Sequence, residues 1–292
     1  MKKYLLLILI IFLTTLTSCE LFYSQNPYTI NLMTIALDYN TVDSIQNHLT
    51  GTINDAQDIE QAFIELSEKQ DIVLNSEHYL QIGENQDDIN YPTKQKIISA
   101  LNTLSLNSTD NSINIIFYSG HGDTDGSWLL TNDTDFHVSD LYNAISNIKG
   151  KTLIISDSCY SGNFYKDSAY TISDYNFTFA DAFEKFIGTD SKYDTEDIYI
   201  LSASQYFEVS YESSDMGHGY FTYELLNGLG WNHNSGTIDQ AIPPAAKNNI
   251  LSVDSLVAYI RPEILKYYYT GEIGYQYPQV SGGRFDLVLF KY

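Results

Sequence analysis

The amino-acid sequence predicts an α/β fold in which a mostly parallel central sheet is covered by helices on both faces. Residues 113–118 and 152–155 are nearly continuous apolar runs, the pattern of parallel strands that are buried on both faces. Amphipathic segments with helical periodicity lie before and between these runs, at residues 94–104 and 138–148. Strands that alternate with helices imply right-handed crossovers and a parallel sheet.

The remaining segments continue this alternation along the chain. Further strands are predicted at residues 29–39, 71–74, 198–201 and 285–290, a small hairpin around 126–130, and further helices at residues 56–66, 220–226 and 253–265. The stretch 162–197 is long, polar and weakly periodic, which predicts a mobile or processed loop. Self-cleavage there at Lys166, Lys185 or Lys192 is one interpretation, and a plain surface loop is the other.

The composition is that of a folded globular protein with an acidic excess. Of the 292 residues, 43% are hydrophobic, and 25 Tyr and 14 Phe are present, whereas disordered chains are poor in aromatic residues. This length suits one large domain, predicted at residues 28–292. The formal net charge of −22 argues against nucleic acid as a partner, because it repels phosphate. The charge favours solubility and encounters with basic substrates.

The N-terminus has the pattern of an export signal. Two lysines precede an apolar run at residues 4–13, and residues 16–19 read Leu-Thr-Ser-Cys. This segment resembles the lipobox of bacterial lipoproteins, which implies a signal peptide at residues 1–18, acylation of Cys19 and a tether at residues 19–27. The protein is then expected to be exported and anchored by lipid to a bacterial membrane, on the periplasmic or cell-surface face. The alternative is an ordinary signal peptide with an incidental Cys19.

Cys159 and His121 form the candidate catalytic pair. The chain contains two cysteines, so with Cys19 acylated Cys159 is the sole thiol and an internal disulfide is excluded. Both residues closely follow predicted parallel strands, whose carboxyl ends share one sheet edge, where ligands bind. An imidazole there can take the proton of a thiol and return it to a leaving amine. Taken singly, Cys159 could be a small buried residue and His121 a turn residue.

Glycines flank the candidate histidine. Gly120 and Gly122 allow the backbone to approach a substrate closely. The backbone amides of Gly122 and Cys159 are the candidate donors to a developing oxyanion. The sequence pattern therefore predicts acyl-transfer chemistry.

Five sequence blocks resemble those of one peptidase family. Residues 118–122 (Tyr-Ser-Gly-His-Gly) and 157–162 (Asp-Ser-Cys-Tyr-Ser-Gly) are similar to the histidine and cysteine blocks of metacaspases and their bacterial relatives. Residues 49–56, 201–205 and 217–223 also resemble family blocks, in the same order. The resemblance implies the metacaspase-like branch of the caspase, gingipain and clostripain clan. It implies a caspase-like three-layer sandwich and a cysteine endopeptidase that acts on proteins or peptides.

The resemblance also implies site residues and a specificity. His121 and Cys159 match the catalytic dyad, and Asp55, Ser119 and Asp157 match a substrate pocket suited to Arg or Lys before the scissile bond. Asp55 could instead be a helix N-cap, and Asp157 a structural cap for the loop that follows it. The scarcity of arginine agrees with a basic preference, since caspases hold an aspartate substrate with arginines. Thr52 and Tyr160 depart from the residues that are common in the family.

No cofactor is required by this chemistry, although metacaspases are often calcium-dependent. Calcium is an open alternative, for which oxygen ligands could come from Asp123, Asp125, Asp133 and Asp135, but their spacing fits no calcium loop. The histidines other than His121 lack metal-site spacing, so no metal ligand is assigned. A catalytically inactive scaffold lipoprotein and an acyl-transferring ligase are the alternative functions.

Overall fold

The computed structural model describes residues 28–40, 48–81, 88–123, 126–130, 134–159, 161, 197–205, 207–283 and 286–292. The predicted signal peptide and tether, Tyr160 and almost all of the loop after Cys159 lie outside these residues. Within the described ranges, no helix combines the length and the apolar character that crossing a bilayer requires.

A six-stranded sheet forms the centre of the protein. The strands of the whole described chain, of which six belong to this sheet, are β1 (Thr29–Leu37), β2 (Val73–Gln81), β3 (Ser112–Ser119), β4 (Trp128–Leu130), β5 (Thr134–Phe136), β6 (Lys151–Asp157), β7 (Ile198–Ser202), β8 (Glu212–Ser213), β9 (His218–Gly219), β10 (Trp231–Asn232), β11 (Thr237–Ile238), β12 (Ile250–Ser252), β13 (Gln279–Gly282) and β14 (Val288–Lys291). The sheet order is β13-β7-β6-β3-β1-β2. Within this six-stranded sheet, β13 pairs antiparallel with its neighbour and the other strands pair in parallel. The other strands pair as hairpins or short ribbons.

Helices cover both faces of this sheet. They are α1 (Thr52–Lys69), α2 (Lys94–Asn107), α3 (Val138–Ile145), α4 (Tyr220–Leu229) and α5 (Val253–Thr270). Alternate residues of β1 enter two separate cores: Leu32 packs with α1, α4 and α5, whereas Met33 packs with α2 and α3. The predicted mostly parallel α/β architecture is confirmed.

The pairing of β3 with β6 positions the candidate dyad. All eight residues of β3 are buried, as its apolar run predicts. The last pair of this parallel ladder is Ser119 with Asp157. His121 and Cys159 each follow two residues later, so both leave the sheet at the same edge.

A ladder of asparagines crosses the opposite end of the sheet. Asn31 on β1 pairs in register with Asn75 and Asn114 on its two neighbours. The Asn31 side chain donates to Asn114 Oδ1 at 2.8 Å and accepts from Asn75 Nδ2 at 3.0 Å. Asn114 Nδ2 donates in turn to the carbonyl of Lys149 at 2.8 Å. Because the buried amides of Asn31 and Asn114 are hydrogen-bonded in this register, the ladder also disfavours a slipped one.

Several predicted elements differ from the observed ones. The strand predicted at residues 71–74 is β2, which runs from Val73 to Gln81. Helix α1 begins at Thr52 with Gly51 as its N-cap, so the interpretation of Asp55 as an N-cap is wrong and Asp55 lies in the first turn. The last strand was predicted at 285–290, but β14 begins at Val288 and pairs with β12 in a separate ribbon. One of the two edge strands of the main sheet is β13, and this four-residue segment is too short and too polar to give a recognisable strand pattern.

We expect Trp128→Ala to lower the free energy of unfolding by about 3–5 kcal/mol. Trp128 is fully buried, stacks on Tyr118 with ring centroids 4.4 Å apart, and donates from Nε1 to Ser156 Oγ at 3.0 Å. Urea unfolding would measure the loss. Tyr269→Ala is the control, because Tyr269 is 78% exposed and its removal should cost less than about 0.5 kcal/mol. Equal effects of the two substitutions would contradict this packing.

Candidate active site

One cleft at the carboxyl edge of the sheet brings the predicted site residues together. It is open to solvent, and the empty space between its lining residues is about 330 Å³ with that open part included. The predicted dyad and the predicted pocket residues all lie on its wall. Its lining comprises Leu49, Thr52, Asp55, Ser119, Gly120, His121, Asp157, Ser158, Cys159, Ser210, Tyr211, Glu212 and Gly219. Residues from four segments of the chain therefore converge at the sheet edge where the strands predicted at residues 113–118 and 152–155 end.

The backbone of His121 is held by two buried tyrosines. Its N–H donates to the hydroxyl of Tyr39 at 2.8 Å, and its carbonyl accepts from the hydroxyl of Tyr118 at 2.8 Å. The His121 ring also lies against the Tyr39 ring, with centroids 4.5 Å apart. Tyr39 itself has a φ of 60°, a left-handed conformation that is unfavourable for a bulky residue. Its backbone is therefore strained where its side chain positions the candidate base.

Gly122 allows the two loops that carry the candidate dyad to touch. A Cβ at this position would lie 2.1 Å from the carbonyl oxygen of Cys159, so any other residue would push the loops apart. Gly122 also forms an antiparallel bridge with Trp128. The two hydrogen bonds around that bridge come from the N–H groups of Asp123 and Leu129. The amide of Gly122, a predicted oxyanion donor, is thus not used in the bridge.

Cys159 is a free, half-buried thiol. Its sulfur lies 3.6 Å from the backbone carbonyl of Ser210. Burial in the cleft raises the pKa of the Cys159 thiol above its ordinary value, and the negative charge of Asp157 raises the pKa further. The thiol is consequently protonated at neutral pH in the resting protein.

Asp55 is the most buried carboxylate of the cleft, at 1% exposure. It accepts hydrogen bonds from Ser119 Oγ at 2.7 Å, His218 Nδ1 at 2.9 Å and the amide of Gly219 at 3.2 Å. Burial raises the pKa of Asp55 to about 7, while the hydrogen bond from His218 opposes the shift. For His218, burial lowers the pKa, but hydrogen bonds to Asp55 and Asp58 outweigh it and raise the pKa to about 9. The imidazole has the higher pKa of the two groups, so His218 holds the proton between them in preference to Asp55.

Asp157 joins the cleft to the N-terminus of α4. It accepts from Ser210 Oγ at 2.6 Å, and from the hydroxyl and amide of Thr222 at 2.7 and 3.1 Å. Thr222 lies in the first turn of α4, so Asp157 stabilises that turn as well as lining the cleft. Its burial raises its pKa. A Cβ on Gly219 would lie 2.4 Å from this carboxylate, which explains why a glycine separates Asp55 from Asp157.

Glu212 is a third carboxylate of the cleft, and the sequence analysis missed it. It accepts from the backbone N–H groups of Thr50 and Gly51 at 3.0–3.1 Å, just before α1 begins. Ser210 and His218, which hold Asp157 and Asp55, were missed as well. No sequence spacing signals these contacts, because they join distant segments. Among the described residues that line the cleft, there is no Lys or Arg.

Metal ligands were not assigned from sequence spacing. Of the four aspartates considered for calcium, Asp125 and Asp133 lie outside the described residues. Within the described part of the chain, the group of side chains close enough to share an ion consists of Asp58, His218 and His233. These three are far apart in sequence, so their proximity could not be read from spacing.

The comparison with protein families identifies the domain. A family model described as a caspase domain matches residues 34–281, which is most of the chain and includes every residue of the cleft. No curated protein matches the chain significantly. The chain therefore belongs to the caspase domain family, a family of cysteine peptidases that act on proteins.

Proposed function

We propose that this protein is an endopeptidase that cleaves after Arg or Lys, with Cys159 as nucleophile and His121 as acid and base. One observation carries the proposal: the thiol and the imidazole share a cleft with three carboxylates and, among its described lining residues, no cation. A thiol and an imidazole suit acyl transfer. The carboxylates suit a guanidinium or ammonium group next to the reacting carbonyl.

The proposed reaction has two halves. His121 takes the proton of Cys159, Sγ attacks the carbonyl carbon of the scissile peptide bond, and the oxyanion accepts from the amides of Gly122 and Cys159. As the C–N bond breaks, the imidazolium gives its proton to the departing amine, which leaves a thioester on Cys159. Water, losing a proton to His121, then attacks the thioester. The C–S bond breaks, the thiol regains its proton and the carboxylic acid product leaves.

The protonation state of the Cys159 thiol in the resting protein determines the order of proton transfer and attack. A preformed thiolate would be placed beside the carboxylate of Asp157, and like charges in a partly buried cleft repel each other. Proton transfer to His121 therefore accompanies attack on the substrate instead of preceding it. A cationic substrate side chain would neutralise the acidic wall and favour the thiolate, so binding and activation would act together.

Basic specificity is supported by the charges of the pocket. Asp55 and Asp157 each have hydrogen-bond donors on the protein side, which hold their oxygens in place. Glu212 is half-exposed and is fixed by two backbone amides. A guanidinium can therefore meet carboxylates that are already oriented.

The alternative function is an inactive scaffold with the same fold. The presence of both dyad residues in one cleft supports the enzyme, since a scaffold has no chemical need for either. A ligase would form the same thioester and pass the acyl group to an amine in place of water. Product analysis with an added amine would distinguish the ligase from a hydrolase.

We further propose that the domain is exported and tethered to a bacterial membrane through lipid on Cys19. The proposal rests on the signal-like residues 1–18 and on Cys19 after two small residues. Acyl chains would hold the peptidase at the membrane surface, where its substrates would be other exported or surface proteins.

A ketone probe that carries arginine should label Cys159 covalently. Labelling should disappear in Cys159→Ala, and a matched probe with aspartate should react far more slowly, because it lacks charge complementarity with the cleft. Mass spectrometry of the labelled peptide is the measurement, run with calcium and again with EDTA so that a calcium requirement is measured directly. A folded wild-type protein that stays unlabelled in both conditions would support the inactive scaffold.

The same probe tests the pocket through Glu212→Gln. Loss of this charge, with the shape kept and with one oxygen that can still accept from the amides of Thr50 and Gly51, should slow labelling by about tenfold, or about 1.4 kcal/mol. Glu272→Gln is the matched control, since Glu272 is exposed and lies outside the cleft. Equal rates for the two variants would argue against a role of Glu212 in binding the cation.

The alkylation rate of Cys159 by iodoacetamide should rise with pH through a midpoint above the ordinary pKa of a thiol. The reason is that only the thiolate reacts, and a raised pKa keeps the thiol protonated over the neutral range. Peptide mass spectrometry would follow Cys159 separately from Cys19. A midpoint below about 7 would indicate a preformed thiolate and would contradict the proposed order of proton transfer.

Expression in bacteria with an alkyne-tagged palmitate should label the wild-type protein. Cys19→Ala should lose the label, because both the thiol and the new amino group that carry acyl chains would be absent. Cys159→Ala is the control and should keep it. In-gel detection of the tag is the measurement, and label that persists in Cys19→Ala would refute the anchor.

A further inference from the structure

We propose that Asp58, His218 and His233 form a zinc site beside the cleft, with Asp55 as its outer-shell partner. One nitrogen from each imidazole and one oxygen of Asp58 lie within 4.8 Å of one another. None of the three residues lines the cleft itself. The site is therefore separate from the candidate dyad, and its existence does not depend on the proposed peptidase activity.

Three different elements supply the ligands. Asp58 lies one turn after Asp55 on α1, His218 begins β9, and His233 directly follows β10. An ion held by all three would tie the β10–β11 hairpin to α1 and to the strand beside the cleft. Such a link between elements that are distant in sequence is typical of metal sites that add stability.

The contact with Asp55 indicates which ring nitrogen of His218 carries a proton. Nδ1 lies 2.9 Å from Asp55 Oδ1, and a carboxylate only accepts, so Nδ1 carries a proton. Nε2 then faces Asp58 Oδ2 at 3.4 Å. This separation is long for a charge-assisted hydrogen bond, which spans about 2.7–2.9 Å. It matches the spacing of about 3.3 Å between two ligand atoms of a tetrahedral zinc with bonds near 2.0–2.1 Å.

Three neighbouring residues indicate which ring nitrogen of His233 carries the proton. Glu224 accepts from the hydroxyl of Tyr267 at 2.6 Å and from Asn227 Nδ2 at 3.1 Å. The amide group of Asn227 is thereby oriented with its Oδ1 toward His233 Nε2, at 3.2 Å. Nε2 must therefore donate, and in the neutral ring Nδ1 is left with a lone pair.

Among the described residues, no hydrogen bond of standard geometry satisfies this lone pair of His233, although the imidazole lies close enough to the backbone of Tyr223 to interact with it. Nδ1 is buried and makes no hydrogen bond within the described residues. A buried nitrogen without a partner is costly, roughly 1–3 kcal/mol. The ring also stacks on Tyr223, with centroids 4.0 Å apart, which fixes its plane. A metal ion would use the lone pair that the fold orients but leaves unsatisfied.

The donor set selects zinc over calcium. Two imidazoles and one carboxylate match the ligands of zinc sites, whereas calcium prefers oxygen ligands alone. Asp58 is 32% exposed, which offers a path for entry and room for water as a fourth ligand. Asp55 completes the arrangement in which a zinc-bound histidine donates its other N–H to a carboxylate. Because Asp55 also accepts from Ser119, the ion would help to orient a carboxylate of the cleft.

The experiment uses the full chain with both cysteines replaced by alanine, purified in detergent and stripped with EDTA. This background removes the thiols, which could themselves bind zinc. Calorimetry with Zn²⁺ should show one equivalent bound, and Co²⁺ should give the visible absorption of a four-coordinate complex. His233→Gln and Asp58→Asn should each weaken binding by at least about tenfold, the least effect expected even for an outer-shell partner.

The matched control is His78→Gln. His78 also contacts a carboxylate, with Nδ1 3.3 Å from Glu60, but belongs to no three-residue group, so its loss should leave zinc affinity unchanged. Circular dichroism without metal would show whether each variant is folded. If His233→Gln does not fold, the zinc affinity of Asp58→Asn alone tests the site. No binding by the stripped chain, binding retained in either folded ligand variant, or an equal loss in His78→Gln would overturn the site.

Discussion

The position of the candidate dyad depends on the parallel pairing of β3 with β6. All of β3 is buried, and a shift of one residue would turn each of its side chains toward the opposite face of the sheet. The register therefore fixes Ser119 and Asp157 as the last pair. His121 and Cys159 stand two residues beyond that pair, so the distance between a thiol and an imidazole from distant segments follows from backbone hydrogen bonds.

The acidic character of the cleft requires compensation, because buried carboxylates are costly unless they are hydrogen-bonded. Two helix N-termini supply much of it. Asp55 lies in the first turn of α1, and Glu212 accepts from the amides that immediately precede that helix. Asp157 accepts from the first turn of α4 through Thr222. Helix dipoles and free amides thus stabilise negative charge where a cationic side chain is proposed to bind.

His218 links this cleft to its surroundings. Its imidazole joins Asp55 in the pocket wall to Asp58 outside it, at 2.9 and 3.4 Å. A positive group at this point, whether a proton or an ion, offsets one of the three carboxylates of the cleft. Asp55 is thus held by His218, whose ring in turn contacts that of His233, with centroids 5.2 Å apart.

The amino-acid sequence was sufficient for the fold class and for placing His121 and Cys159 at one edge of the sheet. Apolar runs that end in short polar motifs are local patterns, and parallel strands share an edge whatever their partners. The sequence was not sufficient for Glu212, for the edge strand β13, or for the grouping of His218 with Asp58. These depend on contacts between remote segments, where burial and hydrogen-bond geometry select the partners and no local period exists. Tertiary packing therefore decided which acidic and imidazole groups face one another, while local patterning had already placed the dyad.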